Sequence, residues 1–183
     1  SHYPVVTRFP ALPLSREDSR ALVESELRRH GRAVSLAASD VAALHAVVGG
    51  MPLALKLLAA QMRHWPLAVL LDNLRQAHRR APEQLYSYIY RRSWLALDEP
   101  ARELLLSLLP LAPDGDDIEW LRLMGLLPPD AFDDALAQLL DYSLLETTGD
   151  PAAPRYRLHR LTTTFLQTQI LEGWANDASS EDE

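Results

Sequence analysis

Gly49-Gly50-Met51-Pro52-Leu53-Ala54-Leu55 is the stretch on which the fold turns. Two glycines close one helical pattern and a proline opens the next. Glycine takes a positive φ at little steric cost, which suits the position just past a helix end. Proline suits the first helical turn, because its missing N–H would have no intrahelical partner there. The spacing therefore predicts a sharp corner between two helices. The N-terminus of the second helix should point outward with free backbone donors, an arrangement that favours anions. The run behind the corner, Leu53 to Met62, is apolar nearly all round and reads as a buried helix.

Upstream of the corner, Asp40 or Ser39 is expected to cap a helix that turns Val41, Leu44, Val47 and Val48 inward. Before that, Ser15-Arg16-Glu17-Asp18 has the form of a capping box and starts a helix with Ala21, Leu22, Val23 and Leu27 on one face. Arg28, Arg29 and Gly31 end it. Residues 1–14 hold three prolines and read as an extended lead-in continuing from something larger. Downstream, Pro66 opens a fourth helix with Leu67, Leu70, Leu71 and Leu74 inward. Residues 15–80 thus make a four-helix unit.

A second unit is expected over residues 81–176. Leu85, Tyr86, Ile89 and Trp94 have helical spacing over 83–95. Asp98-Glu99-Pro100 starts a helix over 99–109, and Asp116 or Asp117 caps a short one stopped by Gly125. Pro128-Pro129-Asp130 opens another, with Phe132, Leu136, Leu139 and Leu140 on one face. Ser143–Thr147 and Arg155–Leu158 read as two strands joined by a turn at Gly149-Asp150-Pro151. A helix from Leu161 to Trp174 closes the unit. The fold class predicted is mainly α, a helical domain followed by a winged-helix domain with a small two-stranded hairpin. Residues 177–183 read as a disordered acidic tail.

Composition narrows the function. Residues 1–80 carry 11 Lys+Arg and 6 Asp+Glu, a net of +5; residues 81–183 carry 7 and 19, a net of −12. Two surfaces of opposite sign would attract and favour a closed arrangement. No apolar run approaches 18 residues, so no membrane span is expected. The absence of cysteine and of a signal sequence points to the cytoplasm. The chain has no Gly-x-x-x-x-Gly-Lys-Ser/Thr loop, no Gly-x-Gly-x-x-Gly and no Gly-x-Ser-x-Gly, so no catalytic residue is assigned and no activity is expected of this chain alone. Its histidines are scattered, and Asp114, Asp116 and Asp117 lack a calcium loop's closing Glu, so no metal site is assigned either.

A winged helix invites a DNA-binding reading, as in transcription regulators. The helix in the recognition position carries Asp130, Asp133, Asp134 and Asp141 and no cation. Phosphate neutralisation dominates non-specific DNA affinity, so this helix argues against nucleic acid. A helical protein-interaction module without nucleotide is the other alternative.

Three stretches resemble the C-terminal part of NB-ARC, the nucleotide-binding switch module of STAND-class signalling ATPases. Leu12-Pro13-Leu14-Ser15-Arg16-Glu17-Asp18 is similar to that family's entry into its helical domain. Gly50-Met51-Pro52-Leu53-Ala54-Leu55 resembles its Gly-Leu-Pro-Leu-Ala motif. Tyr156-Arg157-Leu158-His159-Arg160-Leu161 resembles its winged-helix Met-His-Asp motif. Met51 replaces the usual Leu, and Arg160 stands where Asp is common. The resemblance implies a switch that closes over ADP or ATP. Gly50, Met51, Pro52 and Leu53 would lie near the nucleotide, with Pro52 against adenine. His159 would reach the β-phosphate of ADP, with Arg160 beside it. The P-loop would come from the upstream domain, and the parent protein would self-associate on activation.

Overall fold

The computed structural model describes residues 13–29, 31–32, 35–80, 85–111 and 114–171. Within them the chain is mainly helical with one two-stranded antiparallel sheet. The expected lead-in before Pro13, the tail 177–183, Pro82 and the end of the last helix at Trp174 lie outside the described residues.

The first four helices are α1 (Arg16–Arg29), α2 (Ala38–Val48), α3 (Pro52–Gln61) and α4 (Leu67–Arg80). The α1 box forms: the Asp18 N–H donates to Ser15 Oγ at 3.0 Å, and the Ser15 hydroxyl donates to Asp18 Oδ2 at 2.7 Å. At the other end Arg32 N–H reaches Leu27 O and Gly31 N–H reaches Arg28 O, with Gly31 at φ +75°. This is the six-to-one closure that a left-handed residue permits. Ala21, expected inward, is exposed, and the buried face is Ser19, Val23, Glu26 and Leu27. α2 starts two residues earlier than Asp40, at an Ala37 cap that makes no side-chain bond. Asp40 instead occupies the third helical position, where a carboxylate still favours the helix dipole.

The corner is as sharp as its sequence requires. Gly49 and Gly50 both have positive φ, +63° and +69°, and Pro52 is the first residue of α3. Leu14 N–H donates to Gly50 O at 2.8 Å, and Leu14 O lies 2.9 Å from His45 Nε2. The corner thus holds the segment entering α1. The expected open N-terminus is absent: Leu53 and Ala54, in the first turn of α3, are buried. Every α3 residue from Leu53 to Gln61 is buried except Lys56.

The remaining elements are α5 (Leu85–Ala96), α6 (Glu99–Ser107), α7 (Ile118–Gly125), α8 (Pro129–Asp141), β1 (Leu145–Asp150), β2 (Ala153–Leu158) and α9 (Arg160–Phe165). A π-helical stretch, Leu166–Leu171, continues α9. Thr164 and Thr168 hydroxyls there donate back to carbonyls four residues earlier, a competition known to disturb helices. α6 packs on α8 and α7, α8 on β1, and α7 on β2. Asp98 caps α6 through Ala101 N–H at 3.0 Å, and Asp117 caps α7 through Trp120 N–H at 2.9 Å. Asp116 is therefore not the cap; its backbone pairs with Tyr156 of β2.

Two expectations about glycine and turns are corrected. Gly125 is not the left-handed stop of α7, which is Leu126 at φ 51°. A Cβ on Gly125 would lie 2.7 Å from Leu104 Cδ1, so the end of α7 runs close to α6. The hairpin turn is Pro151-Ala152, and Gly149 and Asp150 belong to β1. Asp150 Oδ1 accepts from Ala152 N–H at 2.9 Å, the local bond that lets Asp start a turn. β1 also begins later than Ser143. Ser143 has φ 55° and closes α8, with Leu144 N–H reaching Leu139 O at 3.0 Å.

One contiguous core runs through both groups of helices. α3 is its middle: it packs on α1 on one side and on α5 on the other. The buried Gln61 amide donates to Ile89 O and Ser93 Oγ of α5, both at 3.0 Å. The Tyr90 hydroxyl of α5 accepts from Thr162 Oγ1 at 3.3 Å, and its ring stacks on Phe165.

The corner predicts an asymmetry between its glycines. A Cβ at Gly49 meets nothing within 4 Å, whereas one at Gly50 would lie 2.4 Å from Leu14 O. Gly49→Ala should cost about 1 kcal/mol, from the left-handed backbone alone. Gly50→Ala should cost at least about twice that, because the Leu14 segment must also move. Urea unfolding of the two variants checks this; equal costs contradict it.

Candidate functional site

His159 stands between the second strand and the last helix. It caps α9, with φ −69° and ψ 141°. Its Nδ1 accepts the Leu161 N–H at 3.2 Å. An accepting Nδ1 carries no proton, so the neutral ring has its proton on Nε2. The ring is therefore held with a donor on its far edge.

Charge surrounds this histidine. Glu146 of β1 lies opposite Arg157 of β2 in the hairpin register. Arg157 Nε and Nη2 donate to Glu146 Oε2 at 3.2 and 3.1 Å. The other carboxylate oxygen, Oε1, faces Lys56 Nζ of α3 at 3.5 Å. The three groups form a chain, Lys56–Glu146–Arg157, from the buried helix to the strand that ends at His159. Burial pushes the His159 imidazole below its ordinary value; Glu146 opposes this, and Arg157 and Lys56 reinforce it. The result favours a neutral ring at neutral pH.

A cavity of about 550 Å³ opens beside this cluster. Leu109, Leu111 and Leu158 supply its apolar side; Arg157, His159, Arg160 and Thr163 supply its polar side. Arg160 is exposed and makes no side-chain hydrogen bond or ion pair with the described residues. The chemistry this offers is that of a small anion-accepting mouth: the Arg160 guanidinium, an imidazole N–H and a hydroxyl over an apolar wall, with Arg157 already held by Glu146.

Gly50, Met51, Pro52 and Leu53 do not line that cavity. Met51 and Pro52 are half-buried at the start of α3, and Gly50 and Leu53 are buried. Of the residues expected to share one site, His159 and Arg160 line this cavity and Gly50 to Leu53 do not. What connects them is Lys56, one helical turn after Pro52, through its ion pair with Glu146. Lys56, Glu146 and Arg157 were not singled out from the sequence as site residues. Lys56 did carry a signal, as the lone charge in Pro52–Gln61. The Glu146–Arg157 pairing needed the strand register, and the sequence misplaced the turn that sets it.

A second concavity of about 520 Å³ lies at the α3–α4 corner, but both cations lining it are already engaged. Arg32 Nη1 donates to Met62 O at 2.6 Å, and Arg63 Nη1 pairs with Asp141 Oδ2 at 2.7 Å. Among the described residues no group of three or more His, Cys, Asp or Glu is placed to hold a metal, and no helix is long and apolar enough to cross a membrane. No protein-family model matches the chain, and no curated protein matches it in sequence.

The depressed His159 value sets a sign for pH dependence. The unfolded chain binds the proton more readily, so His159 contributes stability above its unfolded value of 6.5 and loses it as pH falls through the window below. Wild type should lose more stability than His159→Gln between pH 7.5 and 5.5. The His159 ring signals in an NMR titration should show a midpoint below 6.5. Glu146→Gln removes the neighbour that raises the value, so the midpoint should drop further. A rise in that variant contradicts the assignment of charges.

Proposed function

We propose that this chain is the regulatory part of a STAND-class nucleotide switch, a helical domain plus a winged-helix domain of the NB-ARC kind. In this reading it closes over ADP or ATP that is bound mainly by a P-loop domain of the same polypeptide, in the cytoplasm. It does no chemistry alone. It reports the nucleotide state through rigid-body movement of its second half, and the parent self-associates when that half is released.

The observation that carries the proposal is the state of His159. A neutral imidazole, fixed by its Nδ1 bond with its proton on Nε2, lines a cavity beside Arg160, which is unpaired among the described residues. That is a donor suited to a phosphate oxygen. Arg160, without an internal partner, adds a charge-assisted donor where the family often has an acid. In this reading the nucleotide would lie between His159 and the Pro52 corner. The Lys56–Glu146 pair gives the two groups a direct mechanical link. The DNA-binding alternative finds less support. α8 exposes Asp130 and Asp134 and uses Asp133 and Asp141 in ion pairs with Arg122 and Arg63.

The test is ADP release from the intact parent protein. His159→Ala should speed ADP loss by about tenfold or more, the loss expected for one charge-assisted or phosphate-directed bond. Unchanged release with the fold intact would reduce His159 to a helix cap and would leave the chain as a helical interaction module.

A further inference from the structure

α7 ends in a way that a free surface does not explain. Leu126 takes the left-handed conformation at φ 51° that normally falls to glycine or asparagine. Its neighbour Gly125 stays within the helix, and the left-handed position falls one residue later. Leu126 is also 86% exposed, and Leu123, one turn earlier, is 69% exposed. A leucine here is unfavourable twice, in backbone and in solvation. Asparagine or glycine would be better for the chain by itself.

The surroundings state what would fit. Arg122 pairs with Asp133 at 2.7 Å and lies over the Phe132 ring, so the start of α8 is clamped beside the end of α7. Around the two leucines this leaves Glu119, Asp130 and Asp134. All three are exposed, and their side chains make no ion pair or hydrogen bond among the described residues. α7 and α8, joined by the Arg122–Asp133 pair, thus expose two leucines and three unpaired acids within the half of the chain that carries a net −12. α7 packs on α6 and β2, and α8 packs on α6 and β1; Leu123, Leu126 and the three acids stay exposed.

We propose that Leu123 and Leu126 anchor a basic amphipathic helix of a partner protein. Two apolar residues of that helix would cover the leucines, and Lys or Arg on either side would meet Glu119, Asp130 and Asp134. The anchors give affinity and the acids give selectivity for a cationic partner. Leu126 is kept at the expense of local strain because its side chain is spent in the complex.

The probe is a synthetic 14-residue helix carrying a leucine pair three residues apart, flanked by lysines, with a glutamate-flanked version as control. Binding is read by chemical-shift changes at α7 and α8. The lysine peptide should bind, more weakly as salt rises, and the glutamate peptide should not. Leu126→Asn should weaken binding by about tenfold or more and at the same time raise the midpoint of urea unfolding, since asparagine accepts the left-handed backbone. Asp130→Asn/Asp134→Asn should weaken binding and flatten its salt dependence. Equal binding by wild type and Leu126→Asn overturns the proposal. So does equal binding of both peptides, or concentration-dependent self-association that Leu126→Asn abolishes, which would make a second copy the occupant.

Discussion

The structure depends on the burial of α3. Nine of its ten residues, Leu53 to Gln61, contribute eight buried side chains and one lysine. A helix apolar all round must be covered all round. α1 covers one side and α5 the other, and α5 belongs to the second group of helices. Burying this much apolar surface outweighs any single polar contact, at about 25 cal/mol per Å² removed from water. The polar groups that go with it set the geometry. Gln61 has to find partners in the interior and finds them on α5, which fixes how the two groups meet.

From that junction the charged contacts follow. Lys56, the one side chain of Leu53–Gln61 that reaches the surface, meets Glu146 of the hairpin. Just past the helix, Arg63 meets Asp141, and the His64 ring stacks on Tyr142. Both ion pairs take their cation from the first half and their anion from the second, as the opposite net charges of the halves lead one to expect. Such partly exposed pairs contribute only tenths of a kcal/mol to about 1 kcal/mol each. They orient the halves rather than hold them.

Much of this was legible in the sequence, and what failed did so for physical reasons. The helices were readable because leucine periodicity, proline and capping residues agree with one another, as at Ser15, Pro52, Asp98 and Asp117. Ends were misjudged where tertiary packing overrode local chemistry. α7 does end at Gly125, but the left-handed residue is Leu126, and Ser143 takes a left-handed conformation that no propensity favours. The hairpin turn was misplaced by two residues because Asp150 acts through its side chain on Ala152. At the candidate site, His159 was visible as a residue, but its cap role, its tautomer and its coupling to Lys56 arise only from the fold.

The central claim is that α3 is one core shared by both halves. Hydrogen exchange along the chain in increasing urea tests it most directly. The account predicts that amides of α3, α5 and α6 lose protection together, in one cooperative transition. If α6 to α9 open first while α1 to α4 stay protected, the halves are separate domains merely touching, and α3 is not the element that joins them.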